Sequence, residues 1–146
     1  RERIMASIIQ GATTGLKYLS LTGDVNFNTD DFKIALYTEE ADLSPNMEPS
    51  TYSTTNEVVG AGYTAGGNEV IPTVSFDFDT NSAYVNFADT SWTSATFTAR
   101  GAVIYQVGSL EMMAILDFGS NVTVDNNTFN VTFPPDTVTE ALIRFE

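Results

Sequence analysis

The stretch that decides the fold is residues 74–107, which reads VSFDFDTNSAYVNFADTSWTSATFTARGAVIYQV. Apolar side chains occupy every second position in its first two runs. They are Val74, Phe76 and Phe78 in the first run and Ala83, Val85 and Phe87 in the second. A period of two is typical of a β-strand with one buried and one wet face. Asp, Thr, Asn and Ser at positions 79–82 predict a tight turn between the two runs.

The same alternation extends through most of the chain. It predicts further strands at residues 32–37, 92–97, 100–107, 112–118, 129–133 and 141–145. Asp125, Asn126 and Asn127 predict a hairpin-like turn before residue 129. Short, half-buried strands of this kind indicate an all-β fold. We expect residues 1–146 to form a single antiparallel β-sandwich domain, jelly-roll-like or immunoglobulin-like, with one wet face on each sheet.

The N-terminal part of the chain differs in pattern. Leu16 and Leu19 recur at helical spacing within residues 6–23, which predicts one short N-terminal helix. Thr13 or Thr14 would cap its start and Gly23 would close its end. Residues 1–10 are predicted to form an extended arm. The candidate partner-interface residues of this arm are Arg1, Arg3, Ile4, Met5, Ile8 and Ile9.

Residues 52–67, YSTTNEVVGAGYTAGG, carry four glycines in their second half. We expect a short strand that enters a loop rich in turns, because glycine adopts positive φ without strain. The alternative is a phosphate-binding loop. The segment lacks the terminal GK[ST] of such loops and has no basic residue nearby, so turn glycines are the favoured interpretation.

Charge and composition exclude several classes of function. Six basic residues stand against 19 acidic ones, for a formal net charge of −13. Nucleic acid and anionic membranes are therefore unfavourable partners. No apolar run approaches the roughly 18 residues of a membrane-spanning helix. The chain has no histidine and no cysteine. Zinc sites built from these residues and His-dependent nucleophile systems are excluded, and we predict neither an enzyme nor a cofactor.

Three groups of side chains still have to be weighed as sites. The acid pairs Asp30/Asp31, Glu39/Glu40 and Asp77/Asp79 flank strand ends, where solvated carboxylates are ordinary. Asp77, Asp79 and Asn81 alternate as calcium ligands can, although a plain hairpin turn is favoured. Tyr63, Tyr84, Trp92 and Tyr105 could instead form a sugar-stacking platform, which is the basis for a carbohydrate-binding alternative.

Four segments of the sequence carry a resemblance to a known family. They are TGDVNFNTDDFKIALYTEEADLSP at 22–45, YSTTNEVVGAGYTAGG at 52–67, FTARGAVIY at 97–105 and AILDFG at 114–119. Together they resemble a family of small structural proteins of tailed-bacteriophage virions. The resemblance implies a capsid decoration or cement protein that binds the outer surface of the major capsid protein shell, with a homotrimer as the favoured oligomer. A tail or fibre-adaptor protein and a carbohydrate-binding host-recognition module are the alternatives.

Overall fold

The computed structural model describes residues 7–145. The elements in chain order are β1 (Gly11–Ala12), α1 (Thr14–Thr22), β2 (Phe32–Tyr37), β3 (Asn68–Val70), β4 (Pro72–Asp77), β5 (Ser82–Phe87), β6 (Thr90–Gln106), β7 (Met112–Val131) and β8 (Ile143–Phe145). Strands dominate, and α1 is the one α-helix in this part of the chain.

The strands form two antiparallel sheets. The large sheet has the order β1-β7-β6-β2-β3, and the small sheet has the order β4-β5-β8. β6 and β7 form a long ribbon whose register runs from Thr90 opposite Val131 to Tyr105 opposite Met112. The prediction of an antiparallel β-sandwich with one short helix is confirmed. The strand order, which the sequence left open, follows from these pairings.

The main core lies between the two sheets and under α1. β2 contributes Phe32, Ile34 and Leu36 from one side, and the small sheet contributes Val85, Phe87 and Ile143 from the other. Leu16 of α1 is fully buried in the same cluster. Two sheets and a helix that share one apolar cluster exclude water from both inner faces, and this burial is the main stabilising contribution to the sandwich.

The opposite face of the large sheet is also buried, which the alternating pattern did not predict. Ala35, Tyr37, Val103, Tyr105 and Ile115 form a second apolar cluster there. The loop that follows β2 covers them with Ala41, Leu43 and the partly buried Met47 and Tyr52. The expectation of one wet face on each sheet is therefore wrong for the central strands of the large sheet, because a long loop folds back over it.

The helix is shorter than residues 6–23, but its predicted ends are confirmed. Thr13 has extended φ and ψ of −84° and 160°, and its side chain accepts a hydrogen bond from the N–H of Leu16. Gly23 closes the helix in the left-handed conformation, with φ 78° and ψ 17°. The residues before Thr13 are extended instead, since Gly11 and Ala12 pair with Ile115 and Ala114 of β7.

The predicted turn at Asp125, Asn126 and Asn127 is wrong, because these residues lie inside β7. The sequence also predicted two strands at 92–97 and 100–107, whereas β6 is continuous from Thr90 to Gln106. A bulge accounts for the turn-like residues. Ala95 pairs with Asn127 and Phe97 with Val124, so the β7 side is one residue longer. Asn126 takes φ 48° at this irregularity, a conformation that asparagine tolerates.

The predicted arm can be described from residue 7 onward. Ile8 makes a parallel bridge to Leu43 and is buried in the second cluster of the chain's own core. Ile9 donates its N–H to the carbonyl of Leu43 (2.8 Å) and exposes about half of its side chain. Residues 7–10 therefore lie against the large sheet. The other four arm residues, Arg1, Arg3, Ile4 and Met5, are outside the described residues.

Candidate functional site: a rigid loop and an apolar overhang

Glu57 is the centre of a buried hydrogen-bond network in the glycine-rich loop. Its side chain accepts hydrogen bonds from the hydroxyls of Tyr52 (2.6 Å) and Tyr63 (2.5 Å) and from the N–H of Gly66 (2.8 Å). The Tyr63 hydroxyl also accepts the N–H of Leu36 in β2 (2.9 Å). Glu57 is only 6% exposed, so its side-chain oxygens are largely shielded from bulk water. These five residues are called the Glu57 network below.

Two glycines allow the loop to approach the sheet closely enough for these bonds. Gly67 has φ 78°, and a Cβ atom there would lie 1.8 Å from the carbonyl oxygen of Ile34 in β2. A Cβ atom on Gly60 would lie 2.4 Å from the carbonyl oxygen of Thr96 in β6. The interpretation of these glycines as turn residues is confirmed. The short strand predicted within residues 52–67 is not formed, since the segment makes only isolated bridges through Glu57 and Ala61.

The electrostatic effect of Glu57 extends to four tyrosines. Burial, and secondarily the hydrogen bond to Glu57, raises the pKa of the Tyr52 and Tyr63 hydroxyls well above their usual range. Burial followed by the nearby Glu57 carboxylate raises the pKa of Tyr37 and of Tyr105. These hydroxyls therefore remain protonated donors to a higher pH than an exposed tyrosine does. Their bonds fix the loop to the sheet, and the arrangement is structural.

A second feature lies on the small sheet. Strand register places Val74 beside Val85 and Ile143, and places Phe76 beside Ala83 and Phe145. Residues paired in this way share one face of a sheet, so both rows belong to the face that contacts the core. The first row is covered by the large sheet at Val85 and Ile143. The second row extends beyond that cover.

The uncovered residues form what we call the apolar overhang. Its members and their exposed fractions are Val74 (42%), Phe76 (67%), Phe78 (87%) and Phe145 (49%). The rings of Phe76 and Phe78 lie against each other, with centroids 4.9 Å apart. An exposed aromatic cluster that continues a core is typical of a surface that binds another molecule.

A groove runs beside the overhang. It has a volume of about 200 Å³ and is lined on one side by Ser20, Val25 and Phe27 and on the other by residues of β4, β5 and β8. Val74, Val85, Ile143 and Phe145 make its small-sheet wall mainly apolar. The groove therefore offers space for apolar side chains next to the exposed rings.

The overhang could not be predicted from the sequence, because a strand has the same alternating pattern whether its apolar face is buried or exposed. Phe78 carries the one available signal. It continues the apolar period into the turn that joins β4 to β5, where an aromatic residue has no core to enter. Of the arm residues singled out from the sequence, Ile8 and Ile9 lie beside Leu43 and not at the overhang. Ile8 is buried, and a partner contact by Ile9 or by Arg1, Arg3, Ile4 and Met5 stays a prediction.

Two of the acidic side chains singled out from the sequence, Asp30 and Asp77, have structural roles. Asp77 accepts a hydrogen bond from the N–H of Asp79 (2.9 Å), which confirms the hairpin turn between β4 and β5. Asp30 accepts from the N–H of Asn26 (2.7 Å) and from the Gln106 amide (2.8 Å). In residues 7–145, no three acidic side chains converge in a way that could hold a metal ion.

The aromatic residues considered for sugar stacking do not form an exposed platform. Trp92 and Tyr105 are buried, and Tyr63 packs against Trp92 with a centroid distance of 5.9 Å. Tyr84 is half-buried in β5. The observation that motivated a carbohydrate-binding module therefore no longer supports it.

Comparisons of the chain with protein-family models, with curated proteins and with solved structures gave no significant match. No helix in the described part of the chain is long and apolar enough to cross a membrane. Function therefore has to be inferred from the chain's own residues. The features that bear on it are a loop held to the sheet by the Glu57 network and an apolar overhang open to solvent.

Proposed function

We propose that the chain is a structural protein of a tailed-bacteriophage virion and acts there as a capsid decoration protein. It would bind the outer surface of the shell formed by the major capsid protein and stabilise that shell. The observation that carries the proposal is the apolar overhang, because an exposed aromatic surface of this kind suits a protein partner. The resemblance of the loop and strand segments to phage virion proteins supplies the class of assembly.

The physical requirements of such a protein agree with the contacts described above. A protein that binds only the assembled shell stabilises it by mass action. Many copies arranged by the symmetry of the shell would act multivalently. The body that presents the binding surface must be stiff, and the Glu57 network ties the long loop to the central strands. The net charge of −13 favours solubility before binding and attraction to a basic surface.

The direct test is binding to purified shells. Empty, expanded capsid shells of the parent phage are incubated with the protein, sedimented and heated. We expect the protein to sediment with the shells and to raise their melting temperature, with an unrelated acidic protein as the control. Failure to bind, or localisation of every copy to the tail in intact particles, would refute the decoration role.

A tail or fibre-adaptor protein is the second candidate within the same virion. The resemblance and the overhang support it too, since both roles need a protein-binding surface. Copy number in purified particles separates the two roles. A number comparable to that of the capsid subunits supports decoration, whereas a number that matches the tail components supports the adaptor.

We also propose that the protein is a homotrimer, the oligomer favoured by the family that it resembles. Light scattering of the purified protein measures the mass directly. A monomer at working concentration would contradict this part of the proposal and leave the shell-binding test unaffected.

A further inference from the structure

We propose that the outer edge of β4 and the apolar overhang together bind an extended segment of the partner protein, which adds to the small sheet as a further strand. The segment that fits alternates apolar and basic residues. This inference deepens the proposed function, because it names the contact that a decoration protein would make. It rests on that function for the identity of the partner.

The backbone of β4 is available on one side. Among residues 7–145, β5 pairs with β4 and no strand pairs with its other edge. The N–H of Ala88 donates to the carbonyl of Ile71 (3.0 Å), so this pair is a hydrogen-bonded one at the start of the ladder. Hydrogen-bonded and non-hydrogen-bonded pairs alternate along an antiparallel ladder. Val74 and Phe76 are at the non-hydrogen-bonded positions toward β5, so their N–H and C=O groups point toward the open edge. Pro72, which has no N–H, begins the strand, as is common at sheet edges.

The size of the overhang favours a single strand over a folded surface. If a phenylalanine contributes about 200 Å², the three exposed rings of the overhang present about 400 Å². A stable interface between two folded proteins buries about 800 Å² on each partner. The overhang is therefore too small to hold a second copy face to face. An added strand fits better, because its backbone hydrogen bonds supplement the apolar contact.

Charge determines which segment fits. Asp77 ends β4 with its side chain on the face opposite to Phe76, and Asp79 follows in the turn. A strand beside β4 would place alternate side chains next to these two faces. Apolar residues would extend the overhang, and Lys or Arg residues would lie near Asp77. A second copy placed against this edge would instead bring two acidic turns together.

The test uses a short peptide that alternates lysine and valine, added to the full chain. One control peptide has glutamate in place of lysine, and another is N-methylated at alternate backbone nitrogens. Hydrogen exchange followed by NMR reports on the amides of Val74 and Phe76. We expect the lysine peptide to slow their exchange and both control peptides to have no effect, because strand addition needs backbone donors and basic side chains.

The Phe76→Thr variant removes an exposed ring and keeps strand propensity. It should weaken peptide binding by about tenfold or more. Val59→Thr is the matched control. Val59 is an exposed apolar residue outside the overhang, so this variant should bind the peptide as the parent protein does. Equal binding by the N-methylated peptide, or unchanged exchange at both amides, would overturn the inference. So would an oligomer that dissociates in Phe76→Thr, since a second copy would then cover the overhang.

The shell and peptide assays separate the two proposals. Shell binding that Phe76→Thr leaves unchanged would retain the decoration role and refute the inference. Absence of shell binding by the parent protein would refute the decoration role, and peptide binding with slowed exchange at Val74 and Phe76 would still support the edge as a strand-binding site.

Discussion

The Tyr63→Phe substitution tests whether the Glu57 network stabilises the fold. The phenylalanine ring keeps the contacts of Tyr63 with Trp92 and Phe97, at centroid distances of 5.9 and 5.8 Å. Only the hydroxyl is lost. That hydroxyl donates to Glu57 (2.5 Å) and accepts the N–H of Leu36 (2.9 Å), so one change removes both bonds.

The expected cost follows from these two bonds. A hydrogen bond to a charged group contributes about 1.5–3 kcal/mol, and an unsatisfied buried N–H costs about 1–3 kcal/mol. Tyr63 is only half-buried, so water can reach part of the gap. We therefore expect a loss of about 3 kcal/mol in the free energy of unfolding, near the low end of the combined range. For a domain of this size, that loss lowers Tm by about 6–12 °C.

Urea unfolding followed by tryptophan fluorescence measures this loss, since Trp92 is the single tryptophan and lies beside Tyr63. Tyr18→Phe is the matched control. Tyr18 is 65% exposed on α1, and its substitution should change stability by less than about 0.5 kcal/mol. A Tyr63→Phe loss no larger than that of the control would refute the reasoning. A double variant with Glu57→Gln should lose less than the sum of the two single variants, because the residues share a bond.

Further predictions concern the loop, the tyrosines and the helix. Gly67→Ala should lower the free energy of unfolding by about 3 kcal/mol or more, because its Cβ would overlap a carbonyl oxygen of β2. Gly119→Ala is the control, since Gly119 has a similar φ and no atom within 4 Å of the added Cβ, and it should cost about 1–2 kcal/mol. Equal losses would show that φ strain alone is at work. The tyrosines have a higher pKa in the folded protein than in the unfolded chain, where it is about 10. Their contribution to stability is therefore complete below a pH of about 10 and is lost as the pH rises above that value. Urea titrations at increasing alkaline pH should therefore show stability falling by about 1.4 kcal/mol per pH unit for each of Tyr37 and Tyr63, and a flat profile would contradict the burial of these hydroxyls. Thr13→Ala removes the helix cap and should cost about 1–3 kcal/mol with a loss of helical circular dichroism; an unchanged spectrum and stability would argue against the cap.

The local elements could be predicted where the sequence itself supplies the physical cause. Thr13 and Gly23 bound the helix because a side-chain acceptor and a residue free to adopt positive φ are local requirements. The β2 and β5 strands follow from apolar alternation, and the β4–β5 turn follows from the polar residues between them. The resemblance directed attention to the glycine-rich loop but did not indicate that Glu57 would be buried, because its burial depends on the packing of that loop against β2 and β6.

The exposed aromatic residues and the strand pairings depended on tertiary structure. Asp125, Asn126 and Asn127 have turn chemistry, yet pairing with β6 on both sides of a bulge keeps them in β7. Phe76 and Val85 have the same alternating environment in the sequence, but Val85 lies under the large sheet and Phe76 beyond it. Sequence alone therefore determined the all-β class, the helix caps, the acidic charge and the absence of histidine and cysteine. Only the relative placement of the two sheets decided which apolar residues are core and which stay exposed, because burial depends on what packs across a face and not on the strand that carries it.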